Sequence, residues 1–256
     1  MNAFDLTGKV ALVTGGTRGL GRAIALELAR AGACVHAGYF QNEAAAEAFR
    51  AKISEQKINV TTVKANLMAG SSVQAYFDHI FQSAGQLDCL IYNSAMGTHK
   101  PLAELTQRQL AIVWQVNVGA FLDLALKMLP IMPNGGRIVA ISSEGAQRAV
   151  DYYGAVGSSK AALEALCRQM AVEWAKHGIT VNAIAPGLLQ TDTLAALPDA
   201  ERRLRQEAGA SPLGRIVALE EVAHVVRFLC SSASAGIIGQ TITVDGGKSI
   251  SSFIAH

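Results

Sequence analysis

A glycine-rich turn near the amino terminus is the feature that most limits what this chain can fold into. The turn follows an apolar run at residues 9–13, opens a helical pattern at 20–31, and reads Thr14-Gly15-Gly16-Thr17-Arg18-Gly19-Leu20-Gly21. Glycines at these positions let backbone N–H groups and the positive end of a helix approach a pyrophosphate. Because strand, turn and helix follow one another in the order that this mechanism needs, the segment predicts a dinucleotide-binding site.

Apolar runs alternate with helical periodicity along the rest of the chain, which indicates βαβ units around a parallel sheet buried on both faces. The pattern predicts strands at 9–13, 34–37, 60–64, 87–91, 136–141, 180–184 and 241–244, and helices at 20–31, 43–55, 71–84, 108–129, 158–176 and 219–231. We therefore predict an α/β fold in which residues 1–256 form one Rossmann-type domain, a doubly wound parallel sheet of about seven strands. An irregular insertion at about 186–212 follows the sixth strand, where ligands bind in such sheets, and is the candidate substrate loop.

Composition excludes several classes of partner. The chain carries 22 basic and 20 acidic residues without a long run of like charge, so we expect no nucleic-acid partner. Its four cysteines are scattered and its six histidines share no ligand spacing, which favours a reducing compartment and no metal site. No stretch of 18 uninterrupted apolar residues and no cleavable leader is present, so we predict a cytoplasmic protein without a membrane partner.

The end of the second predicted strand bears on the choice of coenzyme. NAD-selective dinucleotide domains usually place an acid there for the ribose 2′-hydroxyl, but residues 35–41, which include Tyr39, contain no carboxylate. Arg18 in the glycine-rich turn can offer a charge-assisted hydrogen bond to a 2′-phosphate, although it is also an ordinary residue for a solvated turn. The sequence thus favours NADPH over NADH.

Several segments together resemble the short-chain dehydrogenase/reductase family over nearly the whole chain. The GxxxGxG spacing of the turn, the Pro186-Gly187 pair and the segment at 240–247 carry this likeness. The resemblance implies a homotetramer packed through 240–247. It also implies that the coenzyme is contacted by the turn, by residues beside the adenine, by the loop after the fourth strand, and by residues at the nicotinamide ribose and the carboxamide. These residues are Gly15, Thr17, Arg18, Gly19, Leu20, Gly21, Tyr39, Asn66, Leu67, Asn93, Ser94, Lys160, Pro186, Gly187 and Thr191.

The family's usual motif is displaced in this chain. A tyrosine normally stands four residues before the active-site lysine, but the position four before Lys160 is Val156, and the motif here is Tyr153-x6-Lys160. If this stretch is helical, seven residues place both side chains on one face about 10 Å apart along the axis, against about 6 Å for four residues. Gly154 and Gly157 predict that the stretch before Ser158 is not regular helix. A rotation of the turn by one residue would substitute Tyr152 for Tyr153.

The Tyr-x6-Lys spacing resembles the enoyl-acyl-carrier-protein reductases of this superfamily, most closely type III. The resemblance implies that hydride goes to the β-carbon of an enoyl thioester, and that Tyr153 stabilises charge on the distant thioester oxygen. Ser143, seventeen residues before Lys160, matches the serine of ketoreductases and is compatible with either reaction. Asn117 matches the family's helix asparagine, where it either takes part directly or caps an irregularity of the helix.

Two other functions stay open from the sequence. The chain is alternatively a carbonyl reductase or alcohol dehydrogenase of the same superfamily, or a non-catalytic NADPH-binding protein. The favoured substrate is an acyl thioester, with an acyl carrier protein as a candidate carrier. Arg202, Arg203 and Arg205 in the insertion suit the acidic surface of such a carrier, and they equally suit a solvated helix face.

Overall fold

Every run predicted as a strand enters one parallel sheet. The strands are β1 (Val10–Val13), β2 (Cys34–Tyr39), β3 (Val60–Lys64), β4 (Cys89–Tyr92), β5 (Arg137–Ile141), β6 (Thr180–Pro186) and β7 (Thr241–Val244), in the order β3-β2-β1-β4-β5-β6-β7. This computed structural model describes residues 2–56, 58–68, 70–191, 194 and 199–251. The α/β, doubly wound prediction is confirmed, and each strand boundary lies within two residues of its predicted place.

Helices cover both faces of the sheet. Within the described residues they are α1 (Gly19–Arg30), α2 (Glu43–Gln56), α3 (Gly70–Ala84), α4 (Gln107–Trp114), α5 (Ala120–Met128), α6 (Gly154–Trp174), α7 (Ala200–Ala210) and α8 (Leu219–Cys230). Along β1, Ala11 and Val13 belong to a core shared with α1 and α8, whereas Val10 and Leu12 belong to a core shared with α3, α5 and α6. This alternation follows from the two-residue period of a strand.

The order of the strands fixes where a ligand site forms. β1 pairs with β2 on one side and with β4 on the other, so the chain leaves this point in opposite directions. A crevice opens outside the carboxyl ends of the strands at such a switch point. All the predicted site residues except Asn117 and those in α1 and α6 follow the carboxyl end of a strand or close it.

The single helix predicted at 108–129 is wrong in one respect, because a π turn at Gln115–Gly119 separates α4 from α5. A π turn adds a residue to the helical repeat and is frequent at functional sites. By length and apolar composition, Gln107–Ile131 is the one described helical stretch that could cross a membrane. Its residues Phe121, Leu124 and Met128 are fully buried in the protein core.

The insertion at 186–212 was predicted to be irregular, and this is wrong for α7. The helix is highly charged and only Ala200 is buried, so it lacks the apolar stripe on which the prediction of helices rests. Ion pairs one turn apart support it instead, between Arg203 and Asp199 and between Arg205 and Glu201. Residues 192–193 and 195–198 of the insertion lie outside the described residues.

Candidate active site

The glycine-rich turn is held in place by the end of β4. The buried Thr14 Oγ1 accepts hydrogen bonds from the backbone N–H groups of Asn93 (3.0 Å) and Ser94 (2.9 Å), and Asn93 Nδ2 donates to the Thr14 carbonyl at 3.1 Å. Asn93 and Ser94 were predicted to contact the coenzyme. The structure brings both residues to the edge of the turn, where they fix its shape.

Two glycines are required by the path of this turn. Gly15 and Gly19 have φ values of +64° and +51°, a left-handed conformation that other residues rarely adopt. At Gly21 a Cβ atom would lie 2.0 Å from the Gly15 carbonyl oxygen, so no side chain fits there without moving the turn. The predicted roles of these glycines therefore have a steric basis.

The amino end of α1 is open to an anion. Arg18 is the N-cap, its side chain makes no capping hydrogen bond, and it is exposed. The first N–H groups of a helix have no partner within the helix and favour negative charge. Thr17 and Leu20 are buried, so these two predicted residues can offer a ligand their backbone rather than their side chains. The donors present thus fit a pyrophosphate.

The far end of the crevice carries an acid that the sequence analysis missed. Tyr39 donates its hydroxyl proton to Glu43 at 2.9 Å, and the same carboxylate pairs with Arg50 at 3.0 Å and Lys64 at 3.1 Å. Hydrogen bonds from Arg50, Lys64 and Tyr39 lower the pKa of Glu43 to about 2. Glu43 lies beyond the stretch in which an acid was sought, in the first turn of α2. The cluster keeps one net positive charge, because two cations face one carboxylate.

Asn66 and Leu67 follow β3 at the same edge of the sheet, and both are half-buried. Asn66 Oδ1 accepts a hydrogen bond from the Met68 N–H group at 3.0 Å, which closes a short turn after the strand. The structure therefore places these two predicted adenine contacts at the carboxyl end of β3, beside the cluster around Tyr39.

Lys160 is buried in α6, beside the carboxyl end of β5. Its Nζ donates a hydrogen bond to the Ile141 carbonyl at 2.6 Å, at the end of β5. Burial lowers the pKa of Lys160 to about 8, although interactions with Cys167 and Glu164 oppose this fall. The ammonium form thus predominates at neutral pH but titrates within the range in which enzymes are assayed.

Tyr153, not Tyr152, faces the candidate catalytic residues. Its hydroxyl donates to Ser143 Oγ at 3.3 Å, and burial raises the pKa of its phenol, which therefore stays protonated at neutral pH. Tyr152 has a φ value of +60°, and 55% of its surface is exposed to solvent. Of the two alternatives left open by the sequence, the geometry favours Tyr153.

The stretch between Tyr153 and Lys160 is helical, so the prediction of an irregular segment before Ser158 is wrong. Tyr153 is the N-cap of α6, which begins at Gly154, and the Gly157 N–H group donates to the Tyr153 carbonyl at 2.7 Å. Gly157 serves close packing instead of breaking the helix. A Cβ atom there would lie 2.5 Å from the Gly145 carbonyl oxygen, in the turn that follows Ser143.

Asn117 acts through its neighbours. It lies buried in the π turn, where its Oδ1 accepts from the Met96 N–H group at 2.8 Å and its Nδ2 donates to the Met96 carbonyl at 3.0 Å and to Ser159 Oγ at 2.9 Å. The side chain therefore ties the loop after β4 to the residue beside Lys160. This arrangement supports the alternative in which Asn117 stabilises a helix irregularity.

The predicted carboxamide segment follows the end of β6. Gly187 N donates to the Val244 carbonyl at 3.1 Å, which fixes the turn after Pro186. The methyl group of Thr191 lies 3.7 Å from the position that a Cβ atom of Gly19 would take, so this segment reaches the glycine-rich turn. The structure thus brings Thr191 to the glycine-rich turn, whereas Pro186 and Gly187 lie at the end of β6, beside Val244 and Asp245.

Two further residues at the site were given no role from the sequence. Glu164, buried one helical turn after Lys160, accepts from Ser142 Oγ at 2.6 Å and from Gln147 Nε2 at 3.3 Å. The His99 ring lies 5.5 Å from the Tyr153 ring, centroid to centroid. The four-residue spacing of Lys160 and Glu164 was a usable signal for the first. His99 lies in a loop, where no periodic pattern indicates a neighbour.

Known proteins match almost the whole chain. The family model described as enoyl-(acyl carrier protein) reductase matches residues 15–249. The 1-cyclohexenylcarbonyl-CoA reductase of Streptomyces collinus is 36% identical over 244 residues, which cover 94% of this chain and 87% of the relative. The 3-oxoacyl-[acyl-carrier-protein] reductase of Pseudomonas aeruginosa is 35% identical over 258 residues, which cover 97% of this chain and 100% of the relative.

A solved structure agrees with these sequence matches. The gluconate 5-dehydrogenase of Burkholderia cenocepacia, in complex with NADP and tartrate, superposes with a TM-score of 0.89 at 27% identity and covers 98% of each chain. The fold of this chain therefore agrees with that of a solved dehydrogenase. The chain belongs to the short-chain dehydrogenase/reductase superfamily of oxidoreductases.

Proposed function

We propose that this protein is an NADPH-dependent reductase that delivers hydride to the β-carbon of an enoyl thioester. The observation that carries the proposal is the seven-residue separation of Tyr153 and Lys160 on one helix, with the Tyr153 hydroxyl at Ser143. A relative whose name contains an unsaturated cyclic acyl thioester supports the same substrate class.

The residues of the crevice suit the separate parts of a bound coenzyme. The amino end of α1 and the Gly15–Gly21 turn would hold the pyrophosphate, and Arg18 with the cluster around Tyr39 would meet a 2′-phosphate. Lys160 would hold the nicotinamide ribose, and Gly187 and Thr191 the carboxamide. When bound, NADPH supplies the hydride.

Tyr153 supplies the hydrogen bond that this reaction needs. Hydride addition to the β-carbon of an enoyl thioester places negative charge on the thioester oxygen, several bonds away. A protonated phenol in a buried site donates to that oxygen where the charge develops, which lowers the barrier more than it stabilises the substrate. Lys160 lies seven residues after Tyr153 on the same face of the helix. As an ammonium group, it favours proton transfer from the phenol through its positive charge.

Ketone reduction is the second candidate, because the Tyr153–Ser143 pair can hold a substrate carbonyl oxygen directly. A ketoreductase among the relatives supports it. Following NADPH absorbance with crotonyl and acetoacetyl thioesters side by side, each on coenzyme A and on acyl carrier protein, distinguishes the two. We expect turnover of the crotonyl thioester. Turnover of the acetoacetyl thioester alone would establish the second candidate, and tight NADPH binding without turnover of either would favour a non-catalytic protein.

Replacing Arg18 with glutamate should weaken NADPH binding by about 10- to 100-fold relative to NADH, because a charge-assisted hydrogen bond to the 2′-phosphate is lost and repulsion takes its place. Titration of both coenzymes by intrinsic fluorescence measures the ratio. Arg30→Glu is a matched control, since it makes the same charge change at the other end of α1, where the residue is also exposed. An unchanged NADPH-to-NADH ratio in Arg18→Glu would count against this role.

We propose that the protein is cytoplasmic and forms a homotetramer. The edge strand β7, which is only partly covered in the protomer, supports the assembly. The insertion arginines Arg202 and Arg203 pair with Asp199, so part of their charge is already neutralised. We therefore propose the thioester itself as the recognised group, with coenzyme A and carrier protein separated by the assay above.

A further inference from the structure

We infer that Lys248 is a positioning residue that fixes the insertion helix α7 against the turn carrying Ser143, and thereby holds Ser143 and Tyr153 in place for the acyl substrate. Lys248, Glu144 and Glu207 form a cluster that we call the Lys248 triad. The triad joins three segments distant in sequence: the turn after β5, the insertion helix and the chain after β7. The part of the inference that concerns substrate rests on the proposed function.

The geometry of the triad is that of a shared cation. Lys248 Nζ donates to Glu144 Oε1 at 2.9 Å and to Glu207 Oε2 at 2.5 Å. The exposed fractions of the Lys248, Glu144 and Glu207 side chains are 19%, 13% and 10%. Such sheltered pairs are screened little by solvent, unlike the exposed ion pairs along α7. Burial lowers the pKa of Lys248, but hydrogen bonds to Glu144 and Glu207 outweigh it and raise the pKa overall.

Hydrogen bonds to Asp245 also fix the backbone on either side of Lys248. Asp245 accepts hydrogen bonds from the backbone N–H groups of Gly247 at 2.9 Å and Ser249 at 2.7 Å, on either side of Lys248. A short 3₁₀ helix, Lys248–Ile250, starts at this point. These hydrogen bonds fix the backbone around Lys248. Its ammonium group is therefore anchored where it pairs with the two carboxylates.

Glu207 extends the triad to the carboxamide segment. Its Oε1 accepts a hydrogen bond from the Leu188 N–H group at 3.2 Å and lies 3.1 Å from the position of a Cβ atom at Gly187. The carboxylate thus uses one oxygen for Lys248 and the other for the backbone after Pro186. Release of Glu207 would free both the helix and this segment.

Glu144 extends the triad to the catalytic residues. It follows Ser143 directly and begins the short turn Glu144–Ala146. Gly145 in this turn packs on the Tyr153 ring so closely that a Cβ atom would lie 2.5 Å from two of its carbons. A shift of the turn would therefore move Ser143 and Tyr153 relative to the carboxamide segment. The triad keeps these two residues at a fixed separation from that segment.

Replacing Lys248 with methionine tests the inference, because it keeps the length of the side chain and leaves two facing carboxylates without their cation. We expect kcat/KM for the crotonyl thioester to fall about tenfold or more, because Ser143 and Tyr153 would lose their fixed position relative to the carboxamide segment. We also expect trypsin to cleave after Arg202, Arg203 and Arg205 about tenfold faster. Lys248→Arg retains the charge and should stay within about twofold of the wild type in both measurements.

The controls separate the triad from folding and from the proposed function. Lys176→Met removes an exposed lysine elsewhere and should leave both measurements unchanged. If Lys248→Met does not fold, by circular dichroism, Glu207→Gln takes its place with the same expected changes in kcat/KM and in cleavage rate. The proteolysis needs no turnover, so it tests the triad even if no thioester is reduced. Unchanged cleavage rates in a folded Lys248→Met or Glu207→Gln protein would overturn the inference.

Discussion

Tyr153→Phe should lower kcat for the crotonyl thioester by about 10²- to 10⁴-fold, the range in which a positioned general acid contributes. The variant loses one hydroxyl group and retains the ring, which packs on Gly145 and lies beside His99. The KM should change little, because the lost hydrogen bond strengthens mainly in the transition state. Steady-state kinetics with saturating NADPH measure both constants.

Tyr152→Phe is the matched control, since it removes the same hydroxyl from the adjacent residue. Its side chain is exposed and its hydroxyl has no place in the geometry around Ser143, so activity should stay within about twofold of the wild type. NADPH affinity should be unchanged in both variants, because neither hydroxyl is assigned to the coenzyme. A large loss in Tyr152→Phe with none in Tyr153→Phe would exchange the roles of the two tyrosines.

The parts of the fold that depend on local pattern are those that the sequence predicts well. β1, the glycine-rich turn and α1 follow one another within about twenty residues, so the local sequence shows the order of these elements. Fully buried strands such as β1 and β4 are continuous apolar runs in the sequence, because both faces of the sheet are covered. The switch point between β1 and β4 then places the crevice without further information.

Features set by contacts distant in sequence were not predictable. Gly157 is a helix residue because it packs against Gly145, whereas its local preference indicates a break. Glu43 meets Tyr39 through the turn between β2 and α2, and Lys248 meets Glu144 across 104 positions of the chain. A single sequence gives spacing along the chain, but it gives no record of which side chains the sheet brings together.

Lys160→Met should lower NADPH affinity and kcat together, each by about one to two decades, because one ammonium group serves both. A hydrogen bond to a charged group contributes about 1.5–3 kcal/mol, which corresponds to about 10- to 100-fold in affinity. Loss of the charge also removes its effect on the phenol of Tyr153. Isothermal titration with NADPH and steady-state kinetics with the crotonyl thioester measure the two effects separately.

The wild-type protein should also lose NADPH affinity as rising pH removes the proton of Lys160. Since burial lowers the pKa of Lys160 from 10.5 to about 8, the ammonium is present below about pH 8 and is lost above it. Affinity of the free protein for NADPH should therefore fall as pH rises through 8, and Lys160→Met should show no such step. An identical alkaline fall in the variant would assign the step to another group.

Stability gives an independent check on the burial of Lys160. The fall of its pKa from 10.5 to about 8 corresponds to about 3 kcal/mol of destabilisation at neutral pH. The unfolded chain binds the additional proton between pH 8 and 10.5, so this group makes stability rise across that window.

In Lys160→Met the free-energy cost of burying the ammonium group disappears. The hydrogen bond to Ile141 is lost with it, which is an opposing loss of about 1.5–3 kcal/mol. The free energy of unfolding at pH 7 should consequently change by no more than about 1–2 kcal/mol, measured by urea denaturation, while activity falls steeply. A variant destabilised by much more than this would mean that Lys160 supports the fold, and its loss of activity could no longer be assigned to the coenzyme and Tyr153.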